Sequence, residues 1–400
     1  MLFHNPHAEY SPYPDDLAPI LNVASAHESR AWIACWQGIE PGPTPLVELP
    51  ALAARLGVAR VAVKDESKRS ALGSFKALGA PIALIRQIAR RHPDIDPESV
   101  LSGQHAQRLR DDTVISATDG NHGRGLAAAA RDAGCQCVIV LHALVSPERE
   151  QAIAALGARI VRVAGNYDDS VQEAARLAAA HGWQVISDTS YEGYEDIPRD
   201  VMQGYGTIAA EVSEQAAPFS HVMLQGGVGG LAAGLASYWW ELLGAARPRF
   251  IVVEPAQADC LLQSAIQARA ARATGSVESV MAGLACGEAS PLAWRFLQRC
   301  VDDFMTIEDE AAVLAMRALA RGDAGDIPIV SGESGAAGLA ALQQLRGDAA
   351  LSAQVGLDAS SRVLLINTEG ATAPECYEAL VGESAQAVLA RQQAWSASAH

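Results

Sequence analysis

Lys76 closes the run Gly73-Ser74-Phe75-Lys76, where a basic, polar approach gives way to a helical pattern over 74–90 with Ser74 in the place of an N-cap. That puts the lysine in a first helical turn, where the positive end of the helix dipole disfavours an ammonium and lowers its pKa. An amine of lowered pKa is what imine formation with a carbonyl compound requires. Position alone leaves a solvated surface lysine equally open. Further along, Thr118-Asp119-Gly120-Asn121-His122-Gly123 combines hydroxyl, carboxylate, amide and imidazole where the apolar strand pattern 113–117 breaks into a small-residue helical pattern. Open α/β sheets bind ligands at that end of a strand, and short polar residues with glycine leave backbone N–H groups for an anion beside the next helix. An ordinary turn between strand and helix is the alternative.

A second glycine-rich run, Gln225-Gly226-Gly227-Val228-Gly229-Gly230, follows a strand pattern and precedes a helical one over 231–243, so its N–H groups could cradle a phosphate. It has neither the spacing of the dinucleotide fingerprint nor a Lys-Ser/Thr pair, which leaves a monophosphate as the better fit. Four glycines exceed what one tight turn requires. Near the end, Thr368-Glu369-Gly370-Ala371-Thr372 again sets hydroxyls after a strand pattern, and taken alone reads equally as a capping turn.

These residues need a scaffold, and the chain supplies an α/β one. Short Val- and Ile-rich segments at 60–64, 113–117, 136–141, 159–163, 184–187, 221–225, 249–253 and 362–367 alternate with Ala-rich helical stretches, the pattern of parallel sheets covered by helices. The compact, regular βα units between 113 and 188 read as a small lobe, 89–188, inside a discontinuous large lobe, 1–88 and 189–400. Half of the 400 residues are apolar, enough for two moderate cores. A net charge of −16 argues against nucleic acid or an anionic membrane as partner and for a small-molecule ligand. The apolar stretch 231–240 is too short to span a bilayer, and 1–15 carries no apolar segment of signal-peptide type, so a cytoplasmic chain is expected. Seven scattered cysteines fit reduced thiols, and Cys135-Gln136-Cys137 has no second Cys or His pair at ligand spacing, so no metal site is expected.

An internal lysine after Ser-Phe, a Gly-Asn-His run, a tetraglycine loop and a late hydroxyl turn, in this order, resemble the fold-type II pyridoxal-phosphate enzymes of the tryptophan synthase β-like superfamily. Within that group, Ala117-Thr118-Asp119-Gly120-Asn121-His122-Gly123, Ser187-Asp188-Thr189 and Met281-Ala282-Gly283-Leu284-Ala285-Cys286-Gly287 look like the diaminopropionate ammonia-lyase family. The resemblance implies two lobes, each a mostly parallel sheet covered by helices, pyridoxal 5'-phosphate as cofactor and a homodimer. It matches Lys76 to the lysine that joins the cofactor, and Gly226, Gly227, Val228, Gly229 and Gly230 to the phosphate loop. Asn121 matches the amide on the cofactor's 3-oxygen, and Thr368 a hydroxyl near the pyridine nitrogen.

The implied reaction is α,β-elimination of 2,3-diaminopropionate to pyruvate and ammonia. A hydroxyl at the ring nitrogen, unlike a carboxylate, need not keep it protonated, and the milder electron sink suits elimination. Lys76 would take the Cα proton on one face and Asp119 on the other, which admits the D as well as the L substrate; an N-cap role for Asp119 is the alternative. Asp188 is implied as a ligand of the substrate amine, although an isolated Asp after a strand is often a turn residue. Thr118, His122 and Tyr167 are further substrate-contact candidates, with loop capping equally open for His122. Rival readings are a serine or threonine dehydratase or a β-replacement synthase on the same scaffold, and a binding protein without turnover.

Overall fold

The computed structural model describes residues 1–118, 120–143, 145–165, 167–322 and 325–398, without the side chains of Asp168 and Ser398. The chain divides into two compact units. One comprises Met1–Val23, Pro43–Lys68 and Ile208–His400, the other Ala24–Gly42 and Arg69–Thr207. The smaller unit is therefore larger than the 89–188 read from the sequence. A boundary at residue 88 would cut through the helix Lys76–Arg91, which packs closely on the helix Asn121–Ala133. A Cβ on Gly125 would lie 2.9 Å from the Lys76 carbonyl oxygen, so glycine is what lets the two backbones approach.

The described residues form eleven strands: β1 (Leu2–His4), β2 (Leu46–Glu48), β3 (Arg60–Asp65), β4 (Thr113–Ala117), β5 (Gln136–Leu141), β6 (Arg159–Arg162), β7 (Gln184–Val185), β8 (His221–Gln225), β9 (Arg249–Pro255), β10 (Asp303–Ile307) and β11 (Arg362–Asn367). In the larger unit seven of them make one sheet in the order β1-β10-β9-β8-β11-β3-β2. The five inner strands are parallel, and the two short edge strands, β1 and β2, are antiparallel to their neighbours. Buried on both faces, the inner strands are almost continuously apolar, and Val61, Val63, Met223, Ile251, Val253, Met305, Val363 and Leu365 share one core. The chain runs outward from β8 through β9 to β10, then returns to β11 on the other side of β8. The gap between the carboxyl ends of β8 and β11 is thus the topological switch point, where such sheets bind ligands.

The smaller unit holds a four-stranded parallel sheet, β6-β5-β4-β7, over a core of Ile115, Ala117, Val138, Val140, Ala174 and Ala178. Its switch point falls between β4 and β7, because the chain goes from β4 through β5 to β6 before returning to β7. Cys135 and Cys137 are buried free thiols, as are Cys260 and Cys300. No helix among the described residues is long and apolar enough to cross a membrane.

Candidate active site

The carboxyl ends of β4 and β7 bring together three of the expected residues of the smaller unit. Lys76 is the first residue of its helix, with Phe75 rather than Ser74 at the N-cap and no side-chain cap bond. Its Nζ donates to Asp188 Oδ2 at 2.5 Å, and the two side chains are 19 % and 21 % exposed. Nζ also lies 5.2 Å from the ring centroid of Phe75 and 5.8 Å from that of Tyr205.

The lowered lysine pKa expected from the helix start is not what this arrangement produces. Burial does push Lys76 down, but the Asp188 carboxylate, with Tyr205 behind it, outweighs burial and raises the amine above the usual lysine value. A full charge at hydrogen-bond distance overrides the partial charge of a helix end. For Asp188 burial works upward, and Lys76 and then His122 hold the carboxyl well below the usual carboxylate range. The pair is ammonium and carboxylate.

His122 completes the cluster. Its Nε2 lies 2.9 Å from the Ile186 carbonyl oxygen, which can only accept, so Nε2 carries the proton. Nδ1 is then a lone-pair nitrogen, buried without a hydrogen bond, 3.7 Å from Asp188 Oδ2. Burial lowers the imidazole pKa against the pull of Asp188, which keeps the ring neutral at neutral pH. Asn121, His122 and Gly123 form the first turn of the helix Asn121–Ala133, the span the small-residue pattern predicts. Thr118 is buried, its Oγ1 accepting the Gly120 N–H at 3.3 Å. Asp119 lies outside the described residues. Tyr167 begins the helix Tyr167–His181, which packs on β4 and β5, with its ring edge-on to His142 at 6.4 Å.

Two tyrosines that sequence reasoning did not single out shape the cluster. The Tyr194 hydroxyl accepts the Ser187 N–H and donates to the Val185 carbonyl, each at 2.9 Å, and so anchors the backbone immediately before Asp188. Tyr205 packs on Phe75 with ring centroids 4.8 Å apart. The only signal for Tyr194 was its place in an acid- and tyrosine-rich segment.

In the larger unit the glycine run occupies the switch point after β8. Gly227 (φ +64°) and Gly229 (φ +99°) adopt left-handed backbone that side chains resist. The helix Gly230–Leu243 starts at Gly229 without a side-chain cap, which leaves its first-turn N–H groups to an anion. A Cβ on Gly226 would stand 2.6 Å from Glu254 Cγ, and one on Gly229 2.8 Å from Leu297 Cδ1. Glu254, beneath the loop, accepts the Leu261 and Leu262 N–H groups at 2.8 Å each, while burial pushes its carboxyl up to about 8. It therefore sets little negative charge against a phosphate at neutral pH. Gln225 Nε2 donates to the Ile366 carbonyl at 2.7 Å, tying the loop to β11, and Thr368 is buried just beyond that strand. Gly283 of the Met281–Gly287 segment donates its N–H to Ser334 Oγ at 3.1 Å, with its carbonyl close to Gly227.

This cradle fits a phosphate monoester, and a lysine with an ionised partner fits a group that carries an aldehyde. Gly229→Ala is expected to weaken binding of pyridoxal phosphate to the cofactor-free protein about tenfold, from backbone strain alone. A titration followed by absorbance checks it, and unchanged affinity would mean that Gly229 serves only packing.

Comparison with known proteins agrees with these features. A family model described as "Pyridoxal-phosphate dependent enzyme" matches residues 39–369. The diaminopropionate ammonia-lyase of Escherichia coli (strain K12) is 39 % identical over 383 residues, covering 93 % of this chain and 95 % of that protein. The solved structure of the selenomethionine-incorporated holo diaminopropionate ammonia lyase from Escherichia coli has a TM-score of 0.87 at 36 % identity, covering 95 % of this chain and 96 % of that one. That enzyme in complex with an aminoacrylate-PLP azomethine reaction intermediate gives 0.85 at the same identity and coverage. Pyridoxal phosphate is the cofactor, and the chain belongs to the diaminopropionate ammonia-lyase family of fold-type II pyridoxal-phosphate-dependent enzymes.

Proposed function

We propose that this enzyme eliminates the β-amine of 2,3-diaminopropionate, in its D and L forms, and yields pyruvate and ammonia. The ionised pair of Lys76 and Asp188 carries the reading. Once Lys76 is joined to the cofactor it no longer offers Asp188 an ammonium, and the carboxylate is left to a cation from the substrate. The α-amine of any amino acid would replace Lys76 on the cofactor and release it as the neutral amine that accepts the Cα proton, so Asp188 then meets a cation only where the substrate has a second amine. Diaminopropionate has one at Cβ, whereas serine and threonine carry a neutral hydroxyl there.

On this reading Gly226, Gly227, Val228, Gly229 and Gly230 hold the phosphate, Thr368 faces the pyridine nitrogen and Asn121 takes the 3-oxygen. When bound, the cofactor supplies the electron sink that makes the Cα–H acidic. Lys76 Nζ accepts the Cα proton on one face, and Asp119, by resemblance to the family, accepts it on the other. Asp188 holds the β-nitrogen as an ammonium, the form in which it departs as ammonia without further proton transfer to it. His122 Nδ1, a lone-pair acceptor beside Asp188, suits a neighbouring N–H of that group. Thr118 and Tyr167 complete the proposed substrate contacts.

Pyruvate release from D- and L-diaminopropionate, D- and L-serine and L-threonine tests the assignment. Diaminopropionate is expected to lead, and Asp119→Asn to cost the D isomer about a hundredfold with a much smaller loss for the L isomer. Serine outrunning diaminopropionate would move the protein to the dehydratases. Equal losses for both enantiomers would remove Asp119 as a face-specific base.

A further inference from the structure

Tyr205 is 1 % exposed, and its hydroxyl is buried without a conventional hydrogen-bond partner. A phenol in that condition normally costs stability. Its position is nevertheless built for. It lies on the helix Asp196–Gln215, which approaches the Lys76 helix so closely that a Cβ on Gly204 would stand 2.2 Å from the Leu78 carbonyl oxygen. On the Lys76 helix a Cβ on Gly79 would stand 2.6 Å from Tyr205 Cε1 and 2.7 Å from its Cζ and Oη. Lys76 and Gly79 are three residues apart and share a helix face, so the hollow at Gly79 delivers the phenol to the same face as Nζ. The Lys76 ammonium and Asp188 are the charged groups that act on Tyr205.

We propose that Tyr205 is a positioning residue for Lys76: its hydroxyl, admitted by the hollow at Gly79, holds Nζ from the side of the Asp196–Gln215 helix. The consequence is chemical. A group that favours the ammonium makes free Lys76 a stronger acceptor for the Cα proton and slows its coupling to the cofactor at low pH. The groups facing Nζ are Asp188 beyond β7, Tyr205, and His122 on the Asn121 helix, which is neutral; burial keeps the phenol un-ionised at working pH, with a pKa pushed up to about 12. Of the two groups that favour the ammonium, only Tyr205 does so without charge, and it can be altered while the ion pair stays intact. The inference rests on the reading of Lys76 as the residue that joins the cofactor.

The test follows the coupling of pyridoxal phosphate to cofactor-free protein by absorbance across about pH 6 to 10, where only the free amine reacts. In Tyr205→Phe coupling at any given pH in this range is expected to be about tenfold faster, equivalent to a shift of the profile toward acid by roughly one unit, while turnover of diaminopropionate falls. Gly79→Ala, which displaces the phenol, is expected to move it in the same direction, and either variant suffices if the other does not fold. An unmoved profile in a folded variant, with the higher Tm expected on removing an unpaired hydroxyl, overturns the proposal. Lys76→Ala separates the two readings. Cofactor that is still fixed by borohydride in Lys76→Ala overturns both, whereas its absence there with an unmoved Tyr205→Phe profile overturns only the role of Tyr205.

Discussion

Replacing Lys76 by alanine is expected to lower pyruvate release by about a thousandfold or more and to abolish the absorbance of lysine-bound cofactor. Two functions go with one amine, the covalent link and the proton acceptor at Cα. A third effect falls on the protein itself. Asp188 keeps its low pKa because Lys76 stands 2.5 Å away. Without the ammonium, burial acts on that carboxyl almost alone and raises it. A depressed carboxylate contributes stability above its unfolded value, about 3.9, and loses it as the pH falls; a raised one does the reverse. The loss of Tm in Lys76→Ala is therefore expected to be largest at neutral pH and to shrink on acidification, first as the raised carboxyl of the variant protonates and then, below about pH 4, as the paired carboxylate of the parent does. Melting curves of the two proteins at several pH values check this. A constant difference would mean that Lys76 and Asp188 are not coupled in the folded chain.

Segments whose meaning is local were legible in the sequence. The glycine run after β8 announces itself through four glycines between an apolar strand and an apolar helix, and it lies where it was expected. The inner strands β3, β8, β9 and β11 are apolar runs that no helix period fits. The strands that escaped are of two kinds. β1 and β2 have three residues each at sheet edges, too short for a pattern. β10 begins with Asp303, whose carboxylate is answered by Arg249 of the neighbouring strand, a compensation visible only once the sheet is assembled. The smaller sheet was read through its small-residue helices, yet its extent was not. Which sheet the Lys76–Arg91 helix covers depends on a crossing at Gly125, and glycines are silent about partners.

The electrostatics of the site were the least legible part. A helix start argues for a weakened ammonium, and the residue that reverses the argument lies 112 positions away. Tyr205 is hidden for the same reason, since its role comes from a helix crossing at Gly79 and Gly204. Asp188, by contrast, was named from the Ser-Asp-Thr run that follows the last small-sheet strand. Its burial and its pairing with Lys76 came only with the fold.

Asp188→Asn is expected to lower kcat/KM for diaminopropionate by about a hundredfold, the usual scale for removing a partly buried carboxylate from an ammonium ligand, with serine losing less than about tenfold. The substitution keeps the shape of the side chain and an oxygen acceptor toward Lys76, so it removes charge more than contact. Loss of that charge also frees burial to lower the Lys76 pKa, because Asp188 is the principal group raising it. Coupling of Lys76 to the cofactor should then extend to lower pH, whichever amino acid is the substrate. The two consequences separate two roles. If Asp188 holds the second ammonium of the substrate, diaminopropionate suffers far more than serine, and the excess loss sits in KM. If it serves only to hold Lys76, both substrates lose equally and the excess vanishes, while the shift in coupling pH remains. Steady-state kinetics on the two substrates, beside a pH series of cofactor coupling, distinguish these outcomes, because a carboxylate that binds a β-ammonium has nothing to bind when the β-substituent is a hydroxyl.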